Sequence, residues 1–400
     1  MRHTRLFALI AVVVFALFVF LSGCGDNIPD GNNDDAFGPG DFADNPGELI
    51  YDGNGGDEDL TDEDMEPPLG ANPAFGYGPY KVRQLHITIR DDVRPSSAYL
   101  FVPEMAEDER EPLPTIVWGH GIWSSDWPRN QREMFVRMAS RGFLIIYPNM
   151  NVPFPFMRED TVLKGVGTYL RAIRQVVRDG YADPERIIFG GYSFGARVAA
   201  LATATTTGMD LLNIWPDPVA CVYEALPDLN DQPTHPINFY GPRPSEWAHL
   251  IDPTIPQTII VAEDDMAVIN FDPKTGEPIN GRVFYDALET DYAQLIVIKS
   301  GTKFRDRARH STFMAPNDRL LNAHDLWGHI KIVSGMMQYH FQHRSKEWAY
   351  GIMRSVGGLD SAGNIIVHEV YERDLTDPLP GEQNLSGLES GTSDKTKPRP

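Results

Sequence analysis

The sequence predicts an α/β fold in which a mostly parallel sheet is covered by helices on both faces. Two observations predict it. Short apolar, β-branched runs alternate with longer stretches whose apolar residues recur at helical spacing, and no internal repeat interrupts this alternation. The region involved, residues 79–378, is long enough for one domain with a sizeable core. In such a sheet, functional side chains belong on the loops at the carboxyl ends of the strands.

The predicted elements follow one another in the order that such a sheet requires. Residues 81–103 alternate as two strands would, with a turn near Asp91 and Asp92. Later strands are predicted at 114–118, 143–147, 186–190, 219–224, 258–262 and 294–299, and helices at 132–140, 161–177 and 324–341. A hairpin is expected at 359–371, with its turn at 360–364. Residues 226–256, rich in proline and aromatic residues, form an insert interpreted as a lid or pocket wall, or as surface padding.

Residues 1–23 predict a signal peptide. A cationic start precedes an apolar run at 6–21, which is shorter than the ~20 residues needed to span a bilayer. The run ends in LSGC, which resembles a bacterial lipobox and implies cleavage before Cys24 and lipidation of its thiol. We therefore expect an extracytoplasmic protein of the cell envelope, held to a membrane by lipid. The alternative, a plain signal peptide or an uncleaved anchor, also exports the chain.

Residues 24–78 predict a disordered acidic tether. No Lys or Arg occurs from Leu6 to Tyr80, while residues 26–66 hold fifteen Asp and Glu. Such a composition cannot bury enough apolar surface to fold. Because the tether supplies −15 of the net charge of −21, the remainder is only mildly acidic, and nucleic acid is not an expected partner. Residues 379–400 predict a disordered tail.

The chain contains two cysteines, Cys24 and Cys221. A lipidated Cys24 cannot form a disulfide, so stability has to come from the apolar core. Cys221 lies in an apolar, strand-like run and is expected to be a buried small hydrophobe without chemistry.

The run IIFGGYSFGARVAAL, residues 187–201, is the most informative part of the chain. It combines an apolar strand, a turn carrying Ser193 between Gly191 and Gly195, and a stretch with helical spacing. A tight turn of this kind lifts a serine hydroxyl out of the sheet and aims backbone N–H groups at a helix N-terminus towards a developing oxyanion. The pentapeptide G-x-S-x-G in this context indicates a nucleophilic serine.

A serine hydroxyl is a weak nucleophile unless a histidine takes its proton and a carboxylate orients that histidine. The chain supplies these groups in the order serine, acid, histidine. Asp264 and Asp265 follow the strand at 258–262, and His310 follows the strand at 294–299. Glu224 and Asp228, after the preceding strand, are further candidates for the acid.

The segment YADPERI at 181–187, followed by GGYSFG, resembles the α/β-hydrolase superfamily, particularly its dienelactone-hydrolase-like and acetylhydrolase-like serine esterases. The resemblance extends from about Tyr99 to Phe341. It implies an α/β-hydrolase fold with Ser193 as nucleophile, Asp265 as acid and His310 as base. The dienelactone-type branch uses a cysteine nucleophile, so the serine argues against that reaction.

The same resemblance implies an oxyanion hole made by the backbone N–H groups of Phe194 and Ile122. Trp123 is the candidate if the loop is offset by one residue, and His120 is expected to orient the loop. Two features depart from the family pattern. Ala196-Arg197 stands where many relatives have a glycine, and the chain between acid and histidine is long, with 272–281 looking inserted.

Other aromatic and histidine residues receive simpler interpretations. The helical pairs His324/His329 and His340/His343 are expected on helix surfaces, without a metal, because neither pair has another ligand at suitable spacing. Trp118, Trp123 and Trp127 are interpreted as core residues or as the lining of an acyl pocket, with Trp123 facing the cleft.

Taken with the resemblance, these observations predict a lipid-anchored serine hydrolase that cleaves small-molecule carboxylic esters without a cofactor. A serine peptidase or amidase of the same fold is one alternative. A non-catalytic surface binding protein that keeps only the fold is another. The acyl and alcohol groups of the substrate and the oligomeric state stay open.

Overall fold

The computed structural model describes residues 49–51, 76–90, 96–105, 111–122, 131–150, 160–208, 215–230, 241–314 and 322–373, with only the backbone described at 49–51 and Arg305. The predicted signal peptide, Cys24, the turn at 91–92, Trp123, Trp127 and the tail after 378 lie outside the described residues. Within the predicted tether, the apolar run Leu49–Tyr51 forms a strand, β1, paired with the edge of the sheet.

A ten-stranded sheet organises the described part of the chain. Its strands are β1 (Leu49–Tyr51), β2 (Val82–Ile89), β3 (Ser96–Pro103), β4 (Leu113–Gly119), β5 (Leu144–Pro148), β6 (Ala182–Tyr192), β7 (Ala220–Glu224), β8 (Gln257–Ala262), β9 (Ala293–Ile298) and β12 (Glu369–Glu372). They lie in the order β1-β2-β3-β5-β4-β6-β7-β8-β9-β12. Neighbours from β5 to β9 pair in parallel, and the flanking strands pair antiparallel.

Helices and short turns connect these strands. The α-helices are α1 (Arg132–Ser140), α2 (Thr161–Arg178), α3 (Phe194–Gly208), α4 (Pro244–Trp247), α5 (Gly281–Ala287), α6 (Lys331–Gln342) and α7 (Lys346–Ala349). Within the described ranges, 3₁₀ turns span Ala248–Leu250, Phe304–Asp306, His310–Phe313 and Ile352–Ser355, and His324–Ile330 is π-helical.

Successive side chains of the central strands pack on opposite faces of the sheet. Val117 belongs to one apolar cluster, together with residues of α2, α3 and α5. Its neighbours Ile116 and Trp118 belong to a second cluster, with residues of α1 and α6. Because each side of the sheet has its own helical cover, the sheet is buried on both faces. The predicted α/β fold, a mostly parallel sheet with helices on both faces, is confirmed.

The predicted hairpin near the C-terminus is only partly correct. β10 (Val356–Leu359) and β11 (Ile365–Val367) pair with each other, as expected. β12 instead pairs antiparallel with β9 and extends the main sheet. The outer edge of β9 offers a row of backbone donors and acceptors, and β12 pairs with them.

Candidate active site

Ser193 occupies a strained turn between β6 and α3. Its φ is 54°, in the left-handed region that non-glycine residues rarely adopt. The flanking glycines make the turn possible. A Cβ on Gly195 would lie 2.0 Å from the carbonyl carbon of Gly119, and one on Gly191 would lie 2.4 Å from the Gly195 carbonyl oxygen. The turn therefore packs backbone against backbone, which only glycine permits.

A hydrogen-bonded chain joins Ser193, His310 and Asp265. Nε2 of His310 lies 3.1 Å from Oγ of Ser193, and Nδ1 lies 2.8 Å from Oδ2 of Asp265. A carboxylate only accepts, so Nδ1 carries the proton and Nε2 is free to accept from the serine hydroxyl. Ser193 and Asp265 are 4% and 3% exposed, while the His310 side chain is 20% exposed. The arrangement can transfer a proton from Ser193 to His310.

Backbone donors fix the Asp265 carboxylate. The N–H groups of Ala267 and Val268 each donate to Oδ1, at 2.8 Å. Because Oδ1 is occupied, Oδ2 is the oxygen presented to His310. The carboxylate therefore holds one orientation, which in turn fixes the imidazole.

The competing acids bond elsewhere. Asp264 accepts from the Ser300 hydroxyl at 2.7 Å. Asp228 accepts from the backbone N–H and the hydroxyl of Ser245, both at 2.7 Å. Glu224 bonds to His329 rather than to His310. Among these carboxylates, Asp265 is the one joined to His310.

The loop after β4 lies beside the serine. A Cβ on Gly121 would be 3.7 Å from the Cβ of Ser193, so the backbone of this loop is close to the nucleophile. Ile122 is buried in the same loop. Phe194 is the first residue of α3, so its N–H has no acceptor within the helix. Trp123 lies outside the described residues.

His120 holds this loop against β5, as the sequence predicted. The Met150 N–H donates to Nε2 at 3.0 Å, so Nε2 is an acceptor and the proton lies on Nδ1. Nδ1 then donates to the Gly121 carbonyl at 2.7 Å. The fully buried ring is therefore a neutral imidazole with a defined tautomer.

Tyr192 was not singled out from the sequence, yet it packs against the turn that carries His310. Its ring centroid lies 4.9 Å from that of His310 and 6.0 Å from that of Phe313. Burial raises the pKa of its phenol well above the ordinary value, so the hydroxyl stays a donor. The only sequence signal was an aromatic residue directly before the serine.

The Arg197 guanidinium makes its hydrogen bonds to the predicted insert, residues 226–256. It donates to the carbonyls of Leu229, Gly241 and Pro242 and to the Asn230 side chain. These partners stand on either side of residues 231–240, which lie outside the described ranges. Burial lowers the pKa of Arg197 to about 10, which leaves the group charged at neutral pH.

The predicted surface positions of His324 and His329 are wrong. Both are buried, because the apolar residues of the π-helical segment His324–Ile330 pack into the second apolar cluster. His340 accepts or donates a hydrogen bond with the Tyr350 hydroxyl at 2.8 Å, and burial lowers its pKa to about 3. Within the described ranges, no three His, Cys, Asp or Glu side chains come together as metal ligands would.

Two further residues behave as core. Trp118 is fully buried, and its indole N–H donates to the Gln131 side chain at 3.0 Å, so it does not line a pocket. Cys221 is fully buried beside Thr203, and burial raises the pKa of its thiol to about 11. The predicted burial of Cys221 is confirmed. Among the residues with described structure, no helix combines the length and apolar character needed to cross a membrane.

Comparisons with known proteins find similarity in structure alone. No family model matches the chain, and no curated protein matches its sequence significantly. An acylaminoacyl peptidase in complex with Z-Gly-Gly-Phe-chloromethyl ketone matches at 17% identity and a TM-score of 0.46, over 64% of this chain and 41% of that one. An acylaminoacyl peptidase from Pyrococcus horikoshii matches at 17% identity and 0.47, over 65% and 42% of the chains.

A protein named as a dienelactone hydrolase, from Klebsiella pneumoniae, matches at 18% identity and a TM-score of 0.38, over 54% of this chain and 85% of that chain. The present chain thus spans about two-fifths of the length of the two peptidases. These likenesses concern the fold, whose assignment rests on the strand order and the serine turn described above.

Proposed function

We propose that this protein is a serine hydrolase that cleaves carboxylic esters through an acyl-enzyme. Ser193 is the nucleophile, His310 the general base and acid, and Asp265 the carboxylate that orients His310. The observation that carries the proposal is the continuous hydrogen-bonded chain from Asp265 through His310 to Ser193, at 2.8 and 3.1 Å. The strained, glycine-flanked turn that presents Ser193 supports it further.

In the acylation half of this mechanism, Ser193 Oγ attacks the carbonyl carbon of the ester while His310 Nε2 takes the hydroxyl proton. The carbonyl oxygen becomes an oxyanion, which the N–H groups of Phe194 and Ile122 stabilise. Preorganised donors of this kind contribute about 3 kcal/mol each to lowering the barrier. The imidazolium then returns its proton to the departing alkoxide, and the acyl group stays on Ser193.

In the deacylation half, water replaces the alcohol. His310 Nε2 removes a proton from the water, which attacks the acyl carbonyl, and the second oxyanion uses the same N–H groups. When this intermediate collapses, the bond to Ser193 Oγ breaks and the carboxylic acid leaves. The His310 imidazolium returns its proton to Oγ, which restores the Ser193 hydroxyl. Asp265 stays ionised throughout and stabilises the imidazolium in both halves. No step requires a cofactor.

Esters are proposed as the substrate class because the motifs around the serine resemble those of serine esterases. A panel of p-nitrophenyl esters of increasing acyl length and a panel of peptide anilides would separate ester from amide hydrolysis. We expect hydrolysis of the esters to exceed that of the anilides. The reverse preference would make the protein a peptidase or amidase of the same fold.

We further propose that the domain is exported and anchored to a membrane by lipid on Cys24, with residues 24–78 as its tether. The support is the cationic start, the apolar run at 6–21 and the LSGC tetrapeptide. Mass spectrometry of the N-terminal peptide of the mature protein tests this. A diacylated Cys24 is expected, and the variant Cys24→Ala should lack it and leave the membrane fraction.

The catalytic proposal is tested by active-site labelling of the purified protein. A fluorophosphonate probe should modify Ser193, as located by mass spectrometry, and Ser193→Ala should abolish the labelling. Ser311→Ala is the matched control, because Ser311 is an exposed serine beside His310. It should label as the wild type does. A folded wild-type protein that shows no labelling would contradict the hydrolase mechanism and favour a non-catalytic binding protein.

A further inference from the structure

A second carboxylate–imidazole pair lies buried beside the Ser193–His310–Asp265 chain. Nδ1 of His329 lies 3.1 Å from Oε1 of Glu224, and both side chains are 0% exposed. Neither residue touches the proposed reacting atoms. Glu224 nevertheless contacts the turn that carries Ser193, and His329 contacts the turn that carries His310.

Glu224 supports the turn that presents the nucleophile. It is the last residue of β7, and its backbone carbonyl accepts the Ser193 N–H at 2.8 Å. The next residue, Ala225, has a φ of 47°, a left-handed conformation that costs about 1–2 kcal/mol in a non-glycine residue. The Ala225 N–H donates to the Ile260 carbonyl at 2.8 Å. The chain therefore bends sharply after Glu224, and the position of the Ser193 turn depends on where that bend lies.

His329 supports the turn that carries the histidine. It lies in the π-helical segment His324–Ile330, a type of turn that is rare and often found at functional sites. Its ring meets the ring of Phe313 edge to face, with centroids 6.1 Å apart. Phe313 is the last residue of the 3₁₀ turn that begins with His310, and its carbonyl accepts from Gln131 at 3.2 Å. The packing of His329 against Phe313 thus helps to fix the position of the turn that carries His310.

Packing alone does not explain why Glu224 and His329, rather than apolar residues, occupy these buried positions. Oε2 of Glu224 and Nε2 of His329 find no hydrogen-bond partner among the described residues. Burying half-satisfied polar groups costs free energy that apolar side chains of similar volume would avoid. The pair is therefore a poor way of filling space and points to a positional role.

The groups around the pair are titratable as well. Burial raises the pKa of Glu224. Burial alone would lower the pKa of His329, but the Glu224 carboxylate outweighs it and the net pKa is raised. The Asp325 carboxylate also acts to raise the pKa of His329, and the Glu224 carboxylate acts to raise the pKa of Tyr192. Clusters of this kind concentrate at functional sites.

We propose that Glu224 and His329 are positioning residues for the proposed hydrolase reaction, and that their hydrogen bond holds the Ser193 turn and the His310 turn at a fixed separation. The expected effect on the reaction rate rests on the proposed function. The expected effect on the separation of the two turns rests on the contacts described above. An error of about 1 Å in the placement of a catalytic group can lower a rate about 100-fold. A link between the two turns therefore has a measurable effect.

The test compares Glu224→Leu with Glu224→Gln in the full chain. Leucine removes the acceptor, whereas the glutamine amide oxygen can still accept from His329 Nδ1. The readouts are the rate of fluorophosphonate labelling per folded molecule, kcat and KM on p-nitrophenyl acetate, and backbone hydrogen exchange in peptides covering 190–195 and 310–314. We expect Glu224→Leu to lower the labelling rate and kcat about tenfold with KM little changed, and to speed exchange in both peptides. Glu224→Gln should stay within about threefold of the wild type in the same assays.

Two results would overturn the inference: unchanged rates and exchange in folded Glu224→Leu, or equal losses in both variants. If Glu224→Leu does not fold, the same comparison is made with two variants of His329. His329→Phe keeps a ring against Phe313 but removes the donor, whereas His329→Gln keeps a donor. A wild-type protein that is not labelled at all would refute the proposed function, while the exchange comparison would still decide whether the pair positions the two turns.

Discussion

The phenol hydroxyl of Tyr192 donates a hydrogen bond to the backbone carbonyl of His310, over 3.0 Å. Tyr192 directly precedes Ser193, so this bond joins the nucleophile turn to a residue that is 118 positions away in the sequence. The same side chain also borders the loop after β4. A Cβ on Gly121 would lie 3.0 Å from its Cε1. One tyrosine thus contacts the serine turn, the histidine turn and the proposed oxyanion loop.

Replacing Tyr192 by phenylalanine removes the hydroxyl and keeps the ring. We expect the labelling rate with a fluorophosphonate to fall about threefold to tenfold, because His310 loses one of the bonds that fix its backbone. The free energy of unfolding should fall by about 1 kcal/mol, as urea denaturation would measure. Tyr181→Phe is the control, because Tyr181 is 37% exposed. Equal labelling of Tyr192→Phe and the wild type would show that the bond does not position His310.

Asp264 and Asp265 are neighbours with different partners, which makes them a matched pair. Asp265→Asn should lower kcat about 10³- to 10⁴-fold, because an amide no longer favours the tautomer with its proton on Nδ1. Asp264→Asn should leave kcat within about threefold, since its carboxylate bonds to Ser300 and lies near Arg307. Steady-state hydrolysis of p-nitrophenyl acetate measures both. A large loss in Asp264→Asn with none in Asp265→Asn would reverse the assignment of the acid.

Gly195→Ala tests the close backbone contact under the serine turn. The new Cβ would lie 2.0 Å from the Gly119 carbonyl carbon, and two backbones cannot separate without moving β4 or α3. We expect a loss of about 3 kcal/mol or more in the free energy of unfolding, or failure to fold. Gly276→Ala is the comparison, because Gly276 has a φ of 73° with no atom within 4 Å of the Cβ position. Its cost should be the backbone strain alone, about 1–2 kcal/mol.

Asp325 makes stability depend on pH. Burial raises its pKa from 3.8 to about 7, so the folded protein keeps a proton that the unfolded chain has already released. Between about pH 4 and pH 7 the folded state therefore binds more protons, and this contribution to stability is lost as the pH rises. In Asp325→Asn the side chain cannot ionise, while its oxygen can still accept the Asn322 N–H that now donates to Asp325 at 2.7 Å. Above pH 7, this variant should be more stable than the wild type, by on the order of 3 kcal/mol.

The measurement for Asp325 is urea unfolding at a series of pH values from 4 to 8. The difference between variant and wild type should grow in favour of the variant across this window. Asp286→Asn provides the control, because its carboxylate is half exposed and pairs with Arg282 at 3.3 Å. A constant difference between Asp325→Asn and the wild type would contradict the raised pKa.

Local patterns were enough to predict most of the helices and strands. The helix predicted at 132–140 has those bounds, and the strand predicted at 258–262 begins one residue earlier, at Gln257. The prediction failed where a neighbour outside the segment decides the outcome. β12 joins β9 because that edge is open, and the π-helical turn at His324–Ile330 has an apolar spacing that an α-helix shares.

The candidate site shows the same division. The glycine-flanked turn is encoded within five residues, so Ser193 could be recognised from the local sequence alone. The choice between Asp264 and Asp265 could not be made from the residues alone, because adjacent side chains on a loop point in different directions. The sequence marked Tyr192 only as an aromatic residue before the serine, and Glu224 only as a candidate for the acid. The contacts of Tyr192 and of the Glu224–His329 pair could not be predicted, since their partners come from distant segments.

The sequence by itself determined the α/β class, the strained serine turn and the order of serine, acid and histidine, because periodicity and turn chemistry act over a few residues. Only the tertiary structure decided that Asp265 faces His310, that Arg197 bonds to the insert and that His329 is buried against Glu224. Those contacts depend on which strands lie side by side and on the direction in which each loop leaves its strand. Both are set by packing across the whole sheet.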